Sequence, residues 1–440
     1  MAQKQKGNIV AIIAMIFLFG MISFVTNLAS PMGDILKNHF DVANWMGTLG
    51  VFCNFIAYAV MGIPAGNMLQ KYGYKKTALV AIVVGFVGVG IQTLSGTIES
   101  STAFGVYLLG AFVAGFSMCL LNTVVNPMLN TLGGGGNRGN QLIQLGGTFN
   151  SLCGTTVIIM TGILIPEGIK NAKIGDVFPL MYAALAIFAF AFVVISLTKI
   201  PEKNNTQKSA SNEPSKYSPL SFRHFVLGAI AIFVYVGVEV GIPNVLQKWL
   251  QNPDLDVLKL GSAGGAEAIA GSVAATYWFM MLIGRLVGAS IGSKISAKLM
   301  LTVVSVVGII LVVAAMFSPT DSFVNLPVFK NNSEGLFGLA NVPIGAALLV
   351  LCGLCTSIMW GGIFNLAVEG LGKYTEKASG YFMVLVCGGG ILPLLQNGII
   401  DLTGGFGYLT SYWVVVACLV YLLYYALVGS KNVNKDIPVN

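Results

Sequence analysis

The sequence predicts an all-α integral membrane protein of twelve transmembrane helices in two six-helix bundles, and three observations carry that prediction. Hydrophobic residues make up 55% of the 440-residue chain and charged ones only 9%, where a soluble domain carries about 25% charged residues. The apolar residues gather into runs that reach the roughly 20 positions a helix needs to cross the hydrocarbon. A single polar stretch, residues 199–221, separates six such runs from six more.

The first run, residues 8–29, follows Lys4 and Lys6 and ends in small residues near Ala29 and Ser30, a layout that secretory signal peptides share. It exceeds the roughly 7 to 15 apolar residues of a signal core and further spans follow it, so it reads as a retained helix. Spans come next at 44–66, 76–96, 103–129, 140–165 and 177–198. The stretch Lys199 to Ser221 is rich in Ser, Asn and Pro and too hydrophilic to enter lipid, which makes it a linker. Beyond it, spans fall at 222–247, 265–290, 297–317, 342–368, 376–400 and 408–429. The expected domains are an N-terminal bundle (1–198), a cytoplasmic linker (199–221) and a C-terminal bundle (222–440). A weak internal repeat agrees, because Gly66 to Lys76 follows the second span and Gly284-Arg285 to Lys294 stands at the corresponding place after the eighth. Related halves of this kind rock about a site near the midplane.

With the N-terminus inside, 18 Lys and Arg residues fall on the cytoplasmic side and 6 on the other. That bias places both termini in the cytoplasm, for a multi-pass chain in a bacterial-type inner membrane. The net charge of +7 is the same bias, scattered rather than gathered into a patch, so no nucleic-acid partner is expected. All seven cysteines (Cys53, Cys119, Cys153, Cys352, Cys355, Cys387 and Cys418) fall within spans and read as small packing residues, with no disulfide or metal framework. Gly133 to Gly136, followed by Asn137-Arg138, lacks the Gly-Lys-Ser/Thr ending of a phosphate-binding loop and reads as a flexible turn. Only His39 and His224 are present, both near span ends, and there is no HExxH motif or nucleophile elbow. An ATP-driven pump or an intramembrane hydrolase is therefore unsupported, and the chain is expected not to be an enzyme.

The element running from Gly66 through Gln70, Lys71, Gly73, Lys75 and Lys76 resembles the loop signature of the major facilitator superfamily, with Gln70 where the family usually carries Asp. Gly66 permits close helix approach there, and the basic residues hold the turn at an anionic surface. A wider likeness runs through Gly62-Ile63-Pro64, Leu121-Asn122, Asn126-Pro127, Leu132-Gly133 and Thr148-Phe149-Asn150-Ser151. It continues through Tyr235 to Glu239, Ile283-Gly284-Arg285, Ile363-Phe364, Leu371-Gly372 and Gly388-Gly389-Gly390. In order and over nearly the whole chain, these resemble the fucose permease branch, the fucose, galactose and glucose symporters. The resemblance implies the major facilitator fold and a sugar site on Asn27, Asn150 and Trp360. It also implies departures: a sugar-contacting Gln falls on Gly147, and the two proton-handling carboxylates fall on Ser30 and Asn122, neither of which titrates.

The residues themselves lead to a similar place. Polar side chains in hydrocarbon need a partner or a wet cavity, and Asn27, Asn54, Asn122, Asn126, Asn150, Glu239, Asn244 and Asn365 come from both halves. Asn amides suit vicinal hydroxyls that both donate and accept, and Trp278 and Trp360 offer faces on which a pyranose can stack. Any one Asn reads equally well as an interhelical hydrogen bond; the set reads as a solute site. Glu239 lies about 20 Å along its helix, where a charge costs about 3 kcal/mol or more. It reads as a neutral acid bonded to a neighbouring helix, as an acceptor for a sugar hydroxyl, or as the site of a coupling ion, proton or sodium. Asp34, Glu267, Glu369 and Asp401 fall near span ends, where they are solvated. Arg285 is placed near the cytoplasmic end of its span, leaving no deep cation to bind an anionic solute. The expectation is a monomeric secondary transporter for a neutral hexose such as glucose, galactose or fucose, or for an N-acetylhexosamine, cation-coupled through Glu239 and without other cofactors. An uncoupled uniporter and a sugar-sensing receptor are the alternatives.

Overall fold

Nearly every apolar run of spanning length is helical in the computed structural model, which describes residues 2–39, 49–164, 174–201, 217–261, 265–332, 335–403, 407–434 and 436–439. Before the linker come α1 (Ala2–His39), α2 (Leu49–Ser95), α3 (Thr102–Leu132), α4 (Gly136–Leu164) and α5 (Phe178–Leu197). After it come α6 (Arg223–Gln251), α7 (Ala266–Ile291) and α8 (Ala297–Phe317). A β-hairpin, β1 (Phe323–Asn332) and β2 (Gly335–Pro343), precedes α9 (Ile344–Thr356), α10 (Met359–Val368), α11 (Thr375–Val384), α12 (Gly388–Thr403) and α13 (Tyr412–Tyr424). Among the described residues, ten helical stretches are long and apolar enough to cross a membrane. Dividing α2 at its bend and adding α4 gives the twelve crossings of the predicted fold. Most of the expected linker, 202–216, lies outside the described residues.

Crossings two and three join at Gly73, where φ is 82° and ψ 178°, a backbone conformation that glycine adopts without a Cβ clash. Just beyond the bend, Lys75 Nζ donates to the carbonyls of Ser196 (2.7 Å) and Thr198 (3.0 Å). Those carbonyls belong to the C-terminal end of α5, which has no intrahelical donors left and attracts a cation.

Two seams join the halves, α2 against α11 and α4 against α7. At the first, backbone touches backbone: a Cβ built on Gly380 would stand 2.5 Å from the Gly62 carbonyl oxygen and from Gly66 Cα. Further bonds cross between the halves toward the face at which the chain begins and ends, the terminal face. Asn365 Nδ2 donates to Asn130 Oδ1 (2.9 Å) and to the Gly136 carbonyl (3.0 Å), and Gln141 Nε2 donates to the Ala289 carbonyl (3.0 Å). Ser379 Oγ donates to the Thr123 carbonyl (3.1 Å). The halves are closed against each other on that face.

The sequence predicts only a loop between crossings nine and ten. The structure has an antiparallel hairpin there, paired from Phe323↔Pro343 to Phe329↔Phe337. It packs across α7 on the opposite, distal face: the Phe329 N–H donates to Thr276 Oγ1 (2.7 Å), and the Phe329 ring stacks on Phe279 at 5.6 Å.

Candidate functional site

The tenth crossing is interrupted by a turn at Ser357–Ile358, between α9 and α10. Interruptions at membrane depth are stable only where other groups satisfy the freed backbone. Here the Ser357 carbonyl accepts from Arg285 Nε of α7 (3.3 Å), and the Ile358 carbonyl accepts from Gln144 Nε2 of α4 (2.8 Å). The turn also places Trp360 at the boundary between the halves.

Arg285 is the centre of the arrangement. Its Nη2 donates to Glu239 Oε1 of α6 at 3.3 Å, while Nη1 donates to Ser151 Oγ (2.6 Å), the Gly147 carbonyl (3.2 Å) and Asn150 Oδ1 (3.3 Å), all on α4. One guanidinium thus holds an ion pair within the C-terminal half and three acceptors of the N-terminal half. The side chains of Arg285 and Glu239 are 12% and 14% exposed, so the pair is sheltered but not sealed. A Cβ at Gly147 would lie 3.4 Å from Arg285 Cδ, an ordinary contact, so the guanidinium stem passes directly over this position.

This corrects the expectation that no cation reaches the middle of the membrane. Arg285 is six residues from the end of α7, about 9 Å by helical rise, but helix side chains lean toward the N-terminus. That lean carries the guanidinium away from the terminal face and up to Glu239. The same contact corrects the picture of Glu239 as an isolated deep carboxylate.

A second polar chain lies beside it. Trp360 Nε1 donates to Asn126 Oδ1 (3.0 Å), Asn126 Nδ2 donates to the Asn122 carbonyl (2.9 Å) and Asn122 Nδ2 donates to the Tyr58 hydroxyl (2.7 Å). The Trp360 ring meets Tyr235 and Phe382 edge-on at 6.3 and 6.1 Å. Asn150 is held from both ends, donating through Nδ2 to the Phe19 carbonyl (2.8 Å) and accepting from Arg285. Asn27 Nδ2 donates to the Ser23 carbonyl (2.8 Å) and faces Gly154, one turn beyond Asn150 on α4. The structure therefore brings Asn126, Asn150, Glu239 and Trp360 to the boundary between the halves, with Asn122 one bond behind Asn126, whereas the contacts of Asn27 lie within the N-terminal half. The Ser30 side chain falls outside the description.

Three predicted residues lie elsewhere. Asn365 belongs to the closure at the terminal face. Asn244 accepts from Asn397 (3.4 Å), which in turn accepts from Lys248 (2.8 Å), in a separate cluster toward the distal face. Trp278 is 37% exposed, edge-on to Tyr277, and two turns along α7 from Arg285. Of the loop-motif residues, Gly66 sits in the α2–α11 seam, and Gly284 packs on Ser357. Lys75 caps α5, while Gln70, Lys71 and Lys76 are exposed. Sequence reasoning missed Ser151, Ser357, Tyr58 and the role of Gly147. Ser151 directly follows Asn150, and the family Gln absent at Gly147 was the signal that something else fills that space.

Comparison with known proteins gives one consistent picture. The family model of the Major Facilitator Superfamily matches residues 10–394. A glucose/galactose transporter of Brucella abortus is 29% identical over 98% of this chain and 96% of its own length. The L-fucose-proton symporter of Escherichia coli is 22% identical over 98% and 97%. Among solved structures, the transporter FucP in the outward conformation superposes with a TM-score of 0.76 at 20% identity, covering 97% of this chain and 100% of that one. The xylose symporter XylE superposes at 0.67 with 12% identity, covering 97% and 98%.

Proposed function

Since the chain belongs to the major facilitator superfamily, we propose that this multi-pass membrane transporter moves a neutral hexose by alternating access, coupled to protons through Glu239. The relatives named for glucose, galactose and fucose, aligned over nearly the full chain, support a sugar of this class. Neutrality of the solute follows from the ion pair rather than from the absence of a cation. Arg285 and Glu239 cancel, and α3, α9 and α10 carry no charged residue. α4 adds only Arg138, at its terminal-face end.

The observation that carries the coupling is the Arg285 guanidinium held between Glu239 and α4. A proton on Glu239 removes its negative charge and leaves the Arg285 guanidinium without its counter-ion in the C-terminal half, which changes how strongly it holds its three α4 acceptors. The protonation state of one residue thus biases how the halves are joined, which is what a driving ion must do. A proton rather than sodium is supported by the relative named as an L-fucose-proton symporter. The terminal face is cytoplasmic in this reading, and the transporter works as a monomer.

The test is uptake into proteoliposomes under an imposed proton or sodium gradient. Wild type is expected to concentrate galactose or glucose with the proton gradient alone, with sugar phosphates failing to compete. Glu239→Gln is expected to equilibrate sugar without concentrating it. Equal accumulation by the variant, or accumulation driven by sodium alone, overturns the coupling assignment. Wild-type uptake that never exceeds equilibrium makes the protein a uniporter, and binding without net flux makes it a receptor.

A further inference from the structure

We propose that the Glu239–Arg285 pair is the charge filter of the solute site, each residue masking the other, so that losing one member converts selectivity from neutral sugars to charged ones. The inference rests on the reading of this boundary as a hexose site, and goes beyond it by assigning what excludes the charged relatives of a hexose.

The reasoning is electrostatic. The two side chains are 12% and 14% exposed, so a solute between the halves meets both, whereas a fully buried pair would be silent. The helices that supply the polar contacts around the pair and Trp360 add little other charge. α3, α9 and α10 carry no Asp, Glu, Lys or Arg, and α4 carries only Arg138, nine residues before Gly147. On α6 the nearest other full charge is Lys248, nine residues beyond Glu239, and on α7 it is Glu267, eighteen residues before Arg285. Nothing else on these elements can neutralise either member once its partner is gone.

A hexuronate differs from a hexose by a carboxylate at C6, and the ammonium form of a 2-amino-2-deoxyhexose differs by a cation at C2. Against the ionised pair, the form a solute meets before the coupling proton binds, each must leave water for a site with no net countercharge, a penalty that rejects it. Replacing Glu239 with Gln preserves size and hydrogen bonding but leaves Arg285 as an unpaired cation. Its planar fork of donors fits a carboxylate in two-point fashion. Replacing Arg285 with Gln leaves Glu239 unpaired, and an ammonium then supplies the missing charge. Arg285 keeps its α4 contacts with Ser151, Asn150 and the Gly147 carbonyl in the first variant, so it remains oriented.

The experiment is counterflow of labelled galactose and glucose in proteoliposomes at pH 6.5, with unlabelled galacturonate, glucuronate, galactosamine and glucosamine as competitors. Binding to the purified proteins is measured in parallel by ligand-induced thermal shift. Wild type is expected to bind every charged sugar at least a hundredfold more weakly than the neutral hexose. E239Q is expected to gain tenfold or more toward the uronates and nothing toward the amino sugars, and R285Q the reverse. The double variant E239Q/R285Q should lose both gains.

Wild-type binding of either charged class within tenfold of the hexose overturns the proposal without any variant. So does a variant that still binds hexose and gains nothing, or one that gains toward both classes alike. Absence of saturable hexose counterflow in wild type instead overturns the sugar reading itself. Where one single variant does not fold, the reciprocal one decides.

Discussion

Under the proposed function Trp360 has two separable tasks, and replacing it in two ways tells them apart. Its indole N–H is the donor that Asn126 Oδ1 accepts, at 3.0 Å across the boundary between the halves. Its ring stands edge-on to Tyr235 and Phe382, with a surface on which a sugar can stack. Trp360→Phe keeps a ring but leaves a buried amide oxygen without its donor, at a cost of about 1–3 kcal/mol. It is expected to lower the thermal midpoint by several degrees while sugar affinity, measured by calorimetry, stays within a few-fold. Trp360→Ala removes the ring as well and should weaken sugar binding roughly tenfold or more, in line with a loss of about 1.4 kcal/mol or above. Equal affinity loss in both variants would assign binding to the N–H rather than the ring. Residue by residue, sequence reasoning reached Asn126, Asn150, Glu239 and Trp360 because a polar or large aromatic side chain inside an apolar run has few explanations. It misplaced Arg285 because depth was judged from the position of the Cα. A long side chain displaces its charge by more than a helical turn, and only the fold shows in which direction.

Between elements, the α2–α11 seam is the most sterically defined contact. Gly62, Gly66 and Gly380 let two backbones meet, and the methyl group of alanine at position 380 would sit 2.5 Å from the backbone of α2. Gly380→Ala is therefore expected to force the helices apart and shift the protein toward the state open on the terminal face. Distances between spin labels on the terminal-face ends of α2 and α11 should lengthen by several ångströms, and an unchanged distribution would mean that the seam yields elsewhere. The lengths and order of the helices were legible in the hydropathy of the chain. The interruption at Ser357–Ile358 was not, because no proline or charge marks it. Its stability comes from Arg285 and Gln144, which reach its carbonyls from two other helices. The hairpin Phe323–Pro343 was hidden for a related reason: its fixing contacts are Thr276 and Phe279, far away in sequence.

For the whole molecule, the bias of Lys and Arg residues gives an orientation that can be tested directly. The native cysteines all lie within apolar helices, so added ones report on the loops. Asp254→Cys, in the exposed turn after α6, is expected to react with a membrane-impermeant maleimide in intact cells. Ser293→Cys, in the exposed turn between α7 and α8, should react only after permeabilisation. The opposite pattern would invert the topology. The halves are closed against each other on the terminal face.

The hairpin gives α7 the mechanics of a lever. Thr276 is fastened from outside by the Phe329 N–H, and Arg285 lies nine residues further along the same rigid rod, an arm of about 13 Å. A tilt of about 10° around that fulcrum swings Arg285 by roughly 2 Å, enough to carry a bond of ordinary length out of range. Small angular movements of one helix, pivoting where a surface loop grips it, would thus be magnified at the point where the two halves are joined.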